Sequence, residues 1–199
     1  PEHRQRKYEQ RDVADVLRHF EGVTDRQETV REVDEITYIN DTAANSPDAV
    51  SVALQRFSPD KKKEIILIAG GVNKNLVYTK LAEEVIQTCK GVFLLPGDAS
   101  DLIFTAINGR IPVTMVKDMK EAVQLAHTIA VRGDTVLLSP GASSFNLFRN
   151  EFERGEQLHD WNRFDRGQGR FWEVLFHNDS IITHFESSSR LNCRPWSDH

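Results

Sequence analysis

Cysteine is nearly absent from this chain, and the two that occur, Cys89 and Cys193, stand far apart without a Cys-x-x-Cys partner. This arrangement excludes a disulfide scaffold and a cysteine-based zinc site, so a reducing cytoplasm is the expected compartment. Apolar runs are short, and none approaches the roughly 18–20 residues that a membrane-spanning helix needs. The N-terminus is charged, unlike a signal peptide, and does not begin with Met. We therefore expect an excised piece or a processed form of a soluble intracellular protein.

A basic excess is also lacking, since 25 Lys and Arg residues stand against 30 Asp and Glu residues. This balance argues against a dedicated nucleic-acid binder, which usually carries a basic face. Three signatures are absent from the whole sequence: the phosphate-binding G-x-x-x-x-G-K-[ST], the dinucleotide-binding G-x-G-x-x-G and the hydrolase G-x-S-x-G. The histidines lack metal-ligand spacing, so no metal site is expected. A chain of 199 residues can form one well-packed domain, or two at most.

From Ile65 onward, short apolar runs alternate with segments whose apolar residues recur at helical spacing. Strands are predicted at Ile65–Ala69, Val92–Leu95, Pro112–Val116 and Thr135–Leu138, and helices at Tyr78–Cys89, Asp98–Ile107, Asp118–Val131 and from near Ser144. This alternation predicts an α/β fold: a Rossmann-like, mostly parallel sheet with helices on both faces.

The beginning of the chain predicts a helix, a hairpin and a second helix. Apolar residues from Val13 to Phe20 recur at helical spacing. Two β-like runs, Glu28 to Val33 and Ile36 to Ile39, predict a β-hairpin that turns at Asp34-Glu35. Ser46 before Pro47 is a strong helix start, with serine as the N-cap and proline at the first helical position.

The strand ends are where a ligand of such a sheet would bind, because ligands gather at the carboxyl ends of parallel strands. Arg26, in the loop before the hairpin, could clamp a phosphate, or it could be a surface arginine paired with an acid. Asp41 could accept ribose hydroxyls, or it could belong to an ordinary turn. Lys74 follows Gly70-Gly71 and adds a positive charge, and Ser144 is predicted near a helix N-terminus that favours a carboxylate.

Four loops in order resemble the C-terminal domain of the Mur ligases. The first is Thr24-Asp25-Arg26-Gln27-Glu28, and the other three carry Asn40-Asp41 with Pro47-Asp48-Ala49, Gly70-Gly71-Val72-Asn73-Lys74, and Ser139-Pro140 through Gly155. The resemblance covers residues 13–155 and is closest to the D-glutamate-adding branch, the MurD ligases. It implies residues 1–22 as a helix continuing from a central ATPase domain, 23–160 as the Mur ligase C-terminal domain, and 161–199 as an atypical tail.

The resemblance also implies a reaction and a set of site residues. In such ligases ATP phosphorylates the carboxylate of UDP-N-acetylmuramoyl-L-alanine, and the amine of D-glutamate attacks the acyl phosphate. The C-terminal domain closes over this site and excludes water. By position, Lys74 and Ser144 would hold the D-glutamate carboxylates, with Phe145 and Asn45 lining the pocket. Arg26 and Asp41 would be the nucleotide-binding residues of this domain.

The remaining implications concern what the chain lacks. ATP and Mg²⁺ would be bound mainly by the central domain, whose Gly-Lys-Thr loop is not in this sequence. We therefore expect no catalytic residue and no activity from the isolated chain, and a monomer that binds neither nucleic acid nor membranes. Ala43 stands where many MurD ligases carry Lys, Asn45 replaces a Thr, and Asp25 replaces a common His.

Three other readings stay open. A sister ligase, such as another Mur enzyme or a folylpolyglutamate synthase, would share the fold and add a different amino acid. A stand-alone, non-catalytic carboxylate-binding module would explain Ala43 and the missing phosphate loop. A nucleotide-dependent oxidoreductase is disfavoured by the lack of a dinucleotide glycine pattern.

Overall fold

The computed structural model describes residues 10–20, 22–144 and 147–164. The helices are α1 (Gln10–Arg18), α2 (Pro47–Phe57), α3 (Thr79–Thr88), α4 (Asp98–Ile107), α5 (Met119–Ile129) and α6 (Glu151–Phe164). The strands are β1 (Glu28–Val33), β2 (Ile36–Asn40), β3 (Ile65–Gly70), β4 (Cys89–Leu95), β5 (Val113–Met115) and β6 (Thr135–Leu138). None of these described helices is both long and apolar enough to cross a bilayer.

The strands form one sheet in the order β1-β2-β6-β3-β4-β5. β1 pairs antiparallel with β2, and every other neighbouring pair is parallel. The predicted fold class is therefore confirmed, a mostly parallel sheet preceded by a hairpin. At one edge β5 has only three residues, and at the other the pairing of β1 is irregular between Thr29 and Arg31.

Helices cover both faces of the sheet, as the alternation predicts. All six residues of β3 are buried, and their side chains divide between two cores. Ile65 and Leu67 pack in the core that includes α2, α3 and α4. Ile66 and Ile68 pack in the core that includes α5 and Leu158 of α6. A strand buried on both faces needs apolar residues at every position, which is why β3 reads as an unbroken apolar run.

The hairpin turns at Asp34-Glu35 although neither residue is glycine. Both have left-handed backbones, with φ of 52° and 61°. Two consecutive positive φ angles are what a tight two-residue hairpin turn requires. The Glu35 carbonyl accepts a hydrogen bond from the Gly133 amide at 2.8 Å, and the Glu35 carboxylate pairs with Arg132. These contacts fix the turn against the loop before β6.

Helix starts follow the predicted capping chemistry in one case and depart from it in another. Ser46 caps α2 by accepting from the Ala49 amide, as its sequence predicts. The predicted start of the last helix near Ser144 is wrong, because α6 begins at Glu151. The Asn150 side chain accepts from the Glu153 amide at 2.9 Å, so it ends the loop and starts the helix. α6 continues to Phe164, across the predicted boundary at residue 160.

The predicted helix near the N-terminus is present, but its apolar side chains are exposed. Val16 and Leu17 of α1 each expose 68% of their surface, and Phe20 exposes 61%. The helical spacing of these residues in the sequence therefore does not mark a buried stripe of this domain.

Replacing Glu35 by glycine should stabilise the fold. Glu35→Gly is expected to raise the free energy of unfolding by about 0.5–1 kcal/mol, because a left-handed backbone costs glycine less than other residues. The lost ion pair with Arg132 is exposed and contributes little. Urea unfolding measures the change, and Arg132→Ala, which removes the ion pair alone, should stay within about 0.5 kcal/mol. A less stable Glu35→Gly variant would contradict the turn assignment.

Candidate functional site

The carboxyl ends of the parallel strands meet at one edge of the sheet, where backbone hydrogen bonds join the loops that follow them. The Asp41 amide donates to the Leu138 carbonyl at 2.8 Å, which ties the loop after β2 to β6. The Gly70 amide donates to Pro140 at 2.9 Å, which ties β3 to the loop after β6. The Ala43 amide donates to the Asp25 carbonyl at 3.1 Å, which ties the loop before the hairpin to the loop after β2. The structure therefore brings all four predicted loop regions together.

Lys74 and Ser144 lie on two loops that pair with each other. The backbones of Val72 and Ser143 exchange two hydrogen bonds, of 2.9 and 3.0 Å. Ser144 follows in a buried position, whereas Lys74 is exposed. The pairing thus places a buried hydroxyl residue and a solvent-facing ammonium group at the same edge of the sheet.

Ser144 is not at the N-terminus of a helix. Its carbonyl accepts hydrogen bonds from the amides of Leu147 and Phe148, at 3.3 and 3.1 Å, which form a turn before α6 begins at Glu151. The helix-dipole argument for a carboxylate at Ser144 therefore fails. Phe145, the predicted pocket residue beside it, lies outside the described residues.

Gly71 is required by the neighbouring loop. A Cβ atom built on Gly71, which has φ of 131°, would lie 2.3 Å from the Ser143 carbonyl oxygen. The space that the glycine leaves is therefore filled by protein backbone. Packing against the Ser143 carbonyl alone is therefore enough to require glycine at position 71.

Asp41 is buried, and its carboxylate is held from two sides. One oxygen accepts from the Ser139 hydroxyl at 2.7 Å, and the other accepts from the Gln27 amide at 3.2 Å. Burial raises the pKa of Asp41 above its ordinary value of 3.8, while these hydrogen bonds and the charges of Arg26 and Arg56 act in the opposite direction. Arg26 itself is exposed, one residue before Gln27.

Arg154 holds the loop cluster together, and the sequence interpretation assigned it no role. Its side chain is fully buried in α6. It donates from Nε to the Thr42 hydroxyl at 2.9 Å and from Nη2 to the Thr42 carbonyl at 2.8 Å. It also donates to the Ala142 carbonyl at 3.1 Å and to the Asn45 side-chain oxygen at 2.9 Å. One guanidinium therefore joins the loop after β2 to the loop after β6.

The charge of Arg154 persists at neutral pH. Burial lowers the pKa of Arg154 to about 10, which leaves the guanidinium protonated in that range. Asn45, predicted to line a substrate pocket, is instead committed through its oxygen to this guanidinium. Its oxygen therefore orients the loop by accepting from Arg154 rather than from a ligand.

Gly155 explains how α6 comes so close to these loops. A Cβ atom on Gly155 would lie 2.4 Å from Asp25 Oδ1 and 2.9 Å from Asn40 Nδ2. Only a residue without a side chain fits this contact. Glycine destabilises the interior of a helix, so its presence there needs a reason. Gly155 beside Arg154 in a helical segment is therefore the sequence signal of a close contact that a side chain would block.

The chain is similar to known proteins along most of its length. A family model described as "Mur ligase, glutamate ligase domain" matches residues 25–142. A UDP-N-acetylmuramoylalanine–D-glutamate ligase of Roseiflexus sp. (strain RS-1) is 45% identical over 141 residues, which are 69% of this chain and 29% of that one. The enzyme of the same name from Marinobacter nauticus is 39% identical over 146 residues, 73% of this chain and 32% of that one. The chain thus spans about a third of the length of these curated relatives.

Solved structures share the fold at lower identity. The UDP-N-acetylmuramate–alanine ligase MurC of Thermotoga maritima superposes with a TM-score of 0.56 and 20% identity. The match covers 79% of this chain and 34% of that one. At this identity the likeness concerns the fold alone.

Arg154→Lys should destabilise the protein despite keeping the charge. Lysine cannot reproduce the planar fork, so buried acceptors at Thr42, Asn45 and Ala142 would lose donors. We expect a loss of about 2–4 kcal/mol in the free energy of unfolding. Thermal or urea unfolding measures it, with Arg110→Lys as the matched control. Arg110 forms an exposed pair with Glu83, so its replacement should cost less than about 0.5 kcal/mol. Equal effects of the two variants would contradict the role of Arg154.

Ser139→Ala should raise the pKa of Asp41 further, because the lost hydroxyl stabilises the carboxylate. The wild type already has a raised Asp41 pKa. Between pH 3.8 and this raised pKa, Asp41 holds a proton in the folded protein that it releases in the unfolded chain. This contribution to stability is therefore complete below the unfolded pKa and is lost as the pH rises through the folded pKa. NMR titration of the Asp41 carboxyl carbon measures its folded pKa, and urea unfolding at a series of pH values measures the change in stability. Ser58→Ala, at a buried serine elsewhere, is the control, and an unchanged Asp41 midpoint in Ser139→Ala would sink the prediction.

Proposed function

The chain belongs to the Mur ligase family, as its glutamate ligase domain, and on that premise we propose that it closes over D-glutamate in an ATP-dependent UDP-N-acetylmuramoyl-L-alanine–D-glutamate ligase. The observation that carries the proposal is the identity of 39–45% with two ligases of that name. Such an enzyme would build peptidoglycan precursors in the cytoplasm, and we propose that this one acts as a monomer.

The amino-acid side of the site is formed by the paired loops after β3 and β6. D-Glutamate carries two carboxylates, which an ammonium group and a hydroxyl can hold. Lys74 supplies a mobile positive charge in solvent, and Ser144 supplies a hydroxyl on the loop that pairs with Val72. Phe145 would line this pocket. Asn45 would shape it through its bond to Arg154.

The nucleotide side would be formed by Arg26 and Asp41. Arg26 is exposed, so its planar fork is available to a phosphate. Asp41 is bonded to Ser139 and Gln27, but a carboxylate has about four acceptor positions, so it can still accept from a ribose hydroxyl. ATP supplies the phosphoryl group that activates the acceptor carboxylate when it is bound. We assign Mg²⁺ and most ATP contacts to the part of the ligase that this chain does not span.

The role of this domain in the reaction is positioning and water exclusion. The amine of D-glutamate must approach an activated carboxylate, and water competes for the same carbon. A closing domain that carries the amine-bearing substrate brings the two together and shuts water out. Arg154 fits this role, because a loop cluster locked by one guanidinium can move as a unit.

A fusion protein tests the proposal. The chain is joined in place of the matching third of the Roseiflexus ligase, and ADP release is measured with UDP-N-acetylmuramoyl-L-alanine. We expect release that requires D-glutamate and is not supported by L-glutamate. Activity with another amino acid would identify a sister ligase. A folded fusion that is inactive beside an active parent enzyme would favour the stand-alone carboxylate-binding module.

Lys74→Ala in this fusion should impair D-glutamate use selectively. A charge-assisted hydrogen bond contributes about 1.5–3 kcal/mol, so kcat/KM for D-glutamate should fall by roughly 10–150-fold. The KM for ATP should change by less than about threefold, since no binding contact to ATP is removed. Lys80→Ala, at an exposed lysine of α3, is the matched control. Unchanged D-glutamate kinetics would remove Lys74 from the site.

A further inference from the structure

Three potential metal ligands meet between α6 and the start of the hairpin. Asp25, Glu28 and His159 each place one ligand atom so that all three lie within 4.8 Å of one another. His159 Nε2 is 3.6 Å from Glu28 Oε2, and both side chains are partly exposed. His159 is far from Asp25 and Glu28 in sequence, which is why the spacing of the histidines does not reveal the cluster.

The backbone around this cluster is held in place. Glu28 is the first residue of β1 and pairs with Asn40 of β2 across the sheet. Gly155, one helical turn before His159, makes the close contact with Asp25 and Asn40 that a side chain would prevent. α6 is therefore docked where His159 faces the two carboxylates, and two of the three ligands stand on a helix or a strand.

Hydrogen bonds from neighbouring groups orient the carboxylates of Asp25 and Glu28. The side-chain nitrogen Nδ2 of Asn40 donates to Asp25 Oδ1 at 2.8 Å and lies 3.3 Å from His159 Nε2. The Asp25 backbone amide donates to Glu28 Oε2 at 2.8 Å. Each carboxylate keeps acceptor positions beyond these bonds. Metal sites characteristically have such supporting donors, which here fix the direction of the two carboxylates.

We propose that Asp25, Glu28 and His159 bind a divalent transition-metal ion, of which Zn²⁺ and Mn²⁺ are the representative cases. Such ions bond to nitrogen and oxygen at about 2.0–2.2 Å, so two ligands of one ion lie at most about 4.3 Å apart. The His159–Glu28 pair already meets this limit, and the others need shifts of less than about 1 Å. An imidazole with two carboxylates suits these ions better than Mg²⁺, which prefers oxygen ligands.

The bound ion would connect α6 to the hairpin. It would neutralise the two carboxylates that now face each other across the Asp25–Glu28 turn. It would also reinforce the docking of α6, on which Arg154 and its loop contacts depend. The ion would thereby raise the thermal stability of the chain, increasingly as its free concentration exceeds its Kd.

The test uses the full chain with Mn²⁺ and Zn²⁺ alone as probes. Mn²⁺ is paramagnetic and should broaden the amide NMR signals of Asp25, Asn40 and Gly155 before those of other residues. Zn²⁺ binding is measured by calorimetry, with a rise in Tm on saturation. His159→Gln and Glu28→Gln should each weaken this binding by about tenfold or more. His19→Gln, at an exposed histidine of the same chain, is the control and should bind as the wild type does.

Two results would overturn the proposal. Equal Zn²⁺ affinity in the wild type and in both Gln variants would place any binding elsewhere in the chain. If Mn²⁺ does not selectively broaden these signals in the wild type, the cluster is an ordinary contact between His159 and Glu28. If His159→Gln unfolds, Glu28→Gln alone decides, because it keeps the shape of the side chain. This test is independent of ligase activity.

Discussion

Removing a guanidinium from water costs several kcal/mol unless acceptors surround it. Arg154 satisfies this condition with four hydrogen bonds, to Thr42, Ala142 and Asn45. The same bonds satisfy two backbone carbonyls in loops that have no regular structure of their own. The constraint is mutual, since the loops need the donors and the buried charge needs the acceptors. Asp41 and Ser144 each lie within two residues of a carbonyl that Arg154 holds, so this arrangement also constrains their positions.

The architecture was predictable because it depends on local patterns. The unbroken apolar run of β3, the cap at Ser46 and the apolar periodicity of α4 each report burial or chain termination directly. Even the hairpin at Asp34-Glu35 followed from the two β-like runs, although neither residue favours a left-handed backbone. The start of α6 was not predictable in this way. It depends on the Asn150 cap, whereas small residues around Ser144 resemble a helix start equally well.

The site was predictable only as a set of neighbouring loops. Strand order places their ends together, but it does not say which polar side chains bind each other. Asp41 is bonded to Ser139, and Asn45 to Arg154, over sequence separations that no local pattern reports. The glycines show the same limit. Gly71 leaves room for the Ser143 carbonyl, and only the packed structure shows that no ligand is needed to explain it.

The two outer strands of the sheet have a consequence for assembly. An exposed strand edge is a template on which another chain can add a strand, and long flat edges promote aggregation. Here β5 offers only three residues, and the irregular pairing near Thr29 bends the ladder of β1. Both edges therefore discourage the addition of a strand from another copy of the domain.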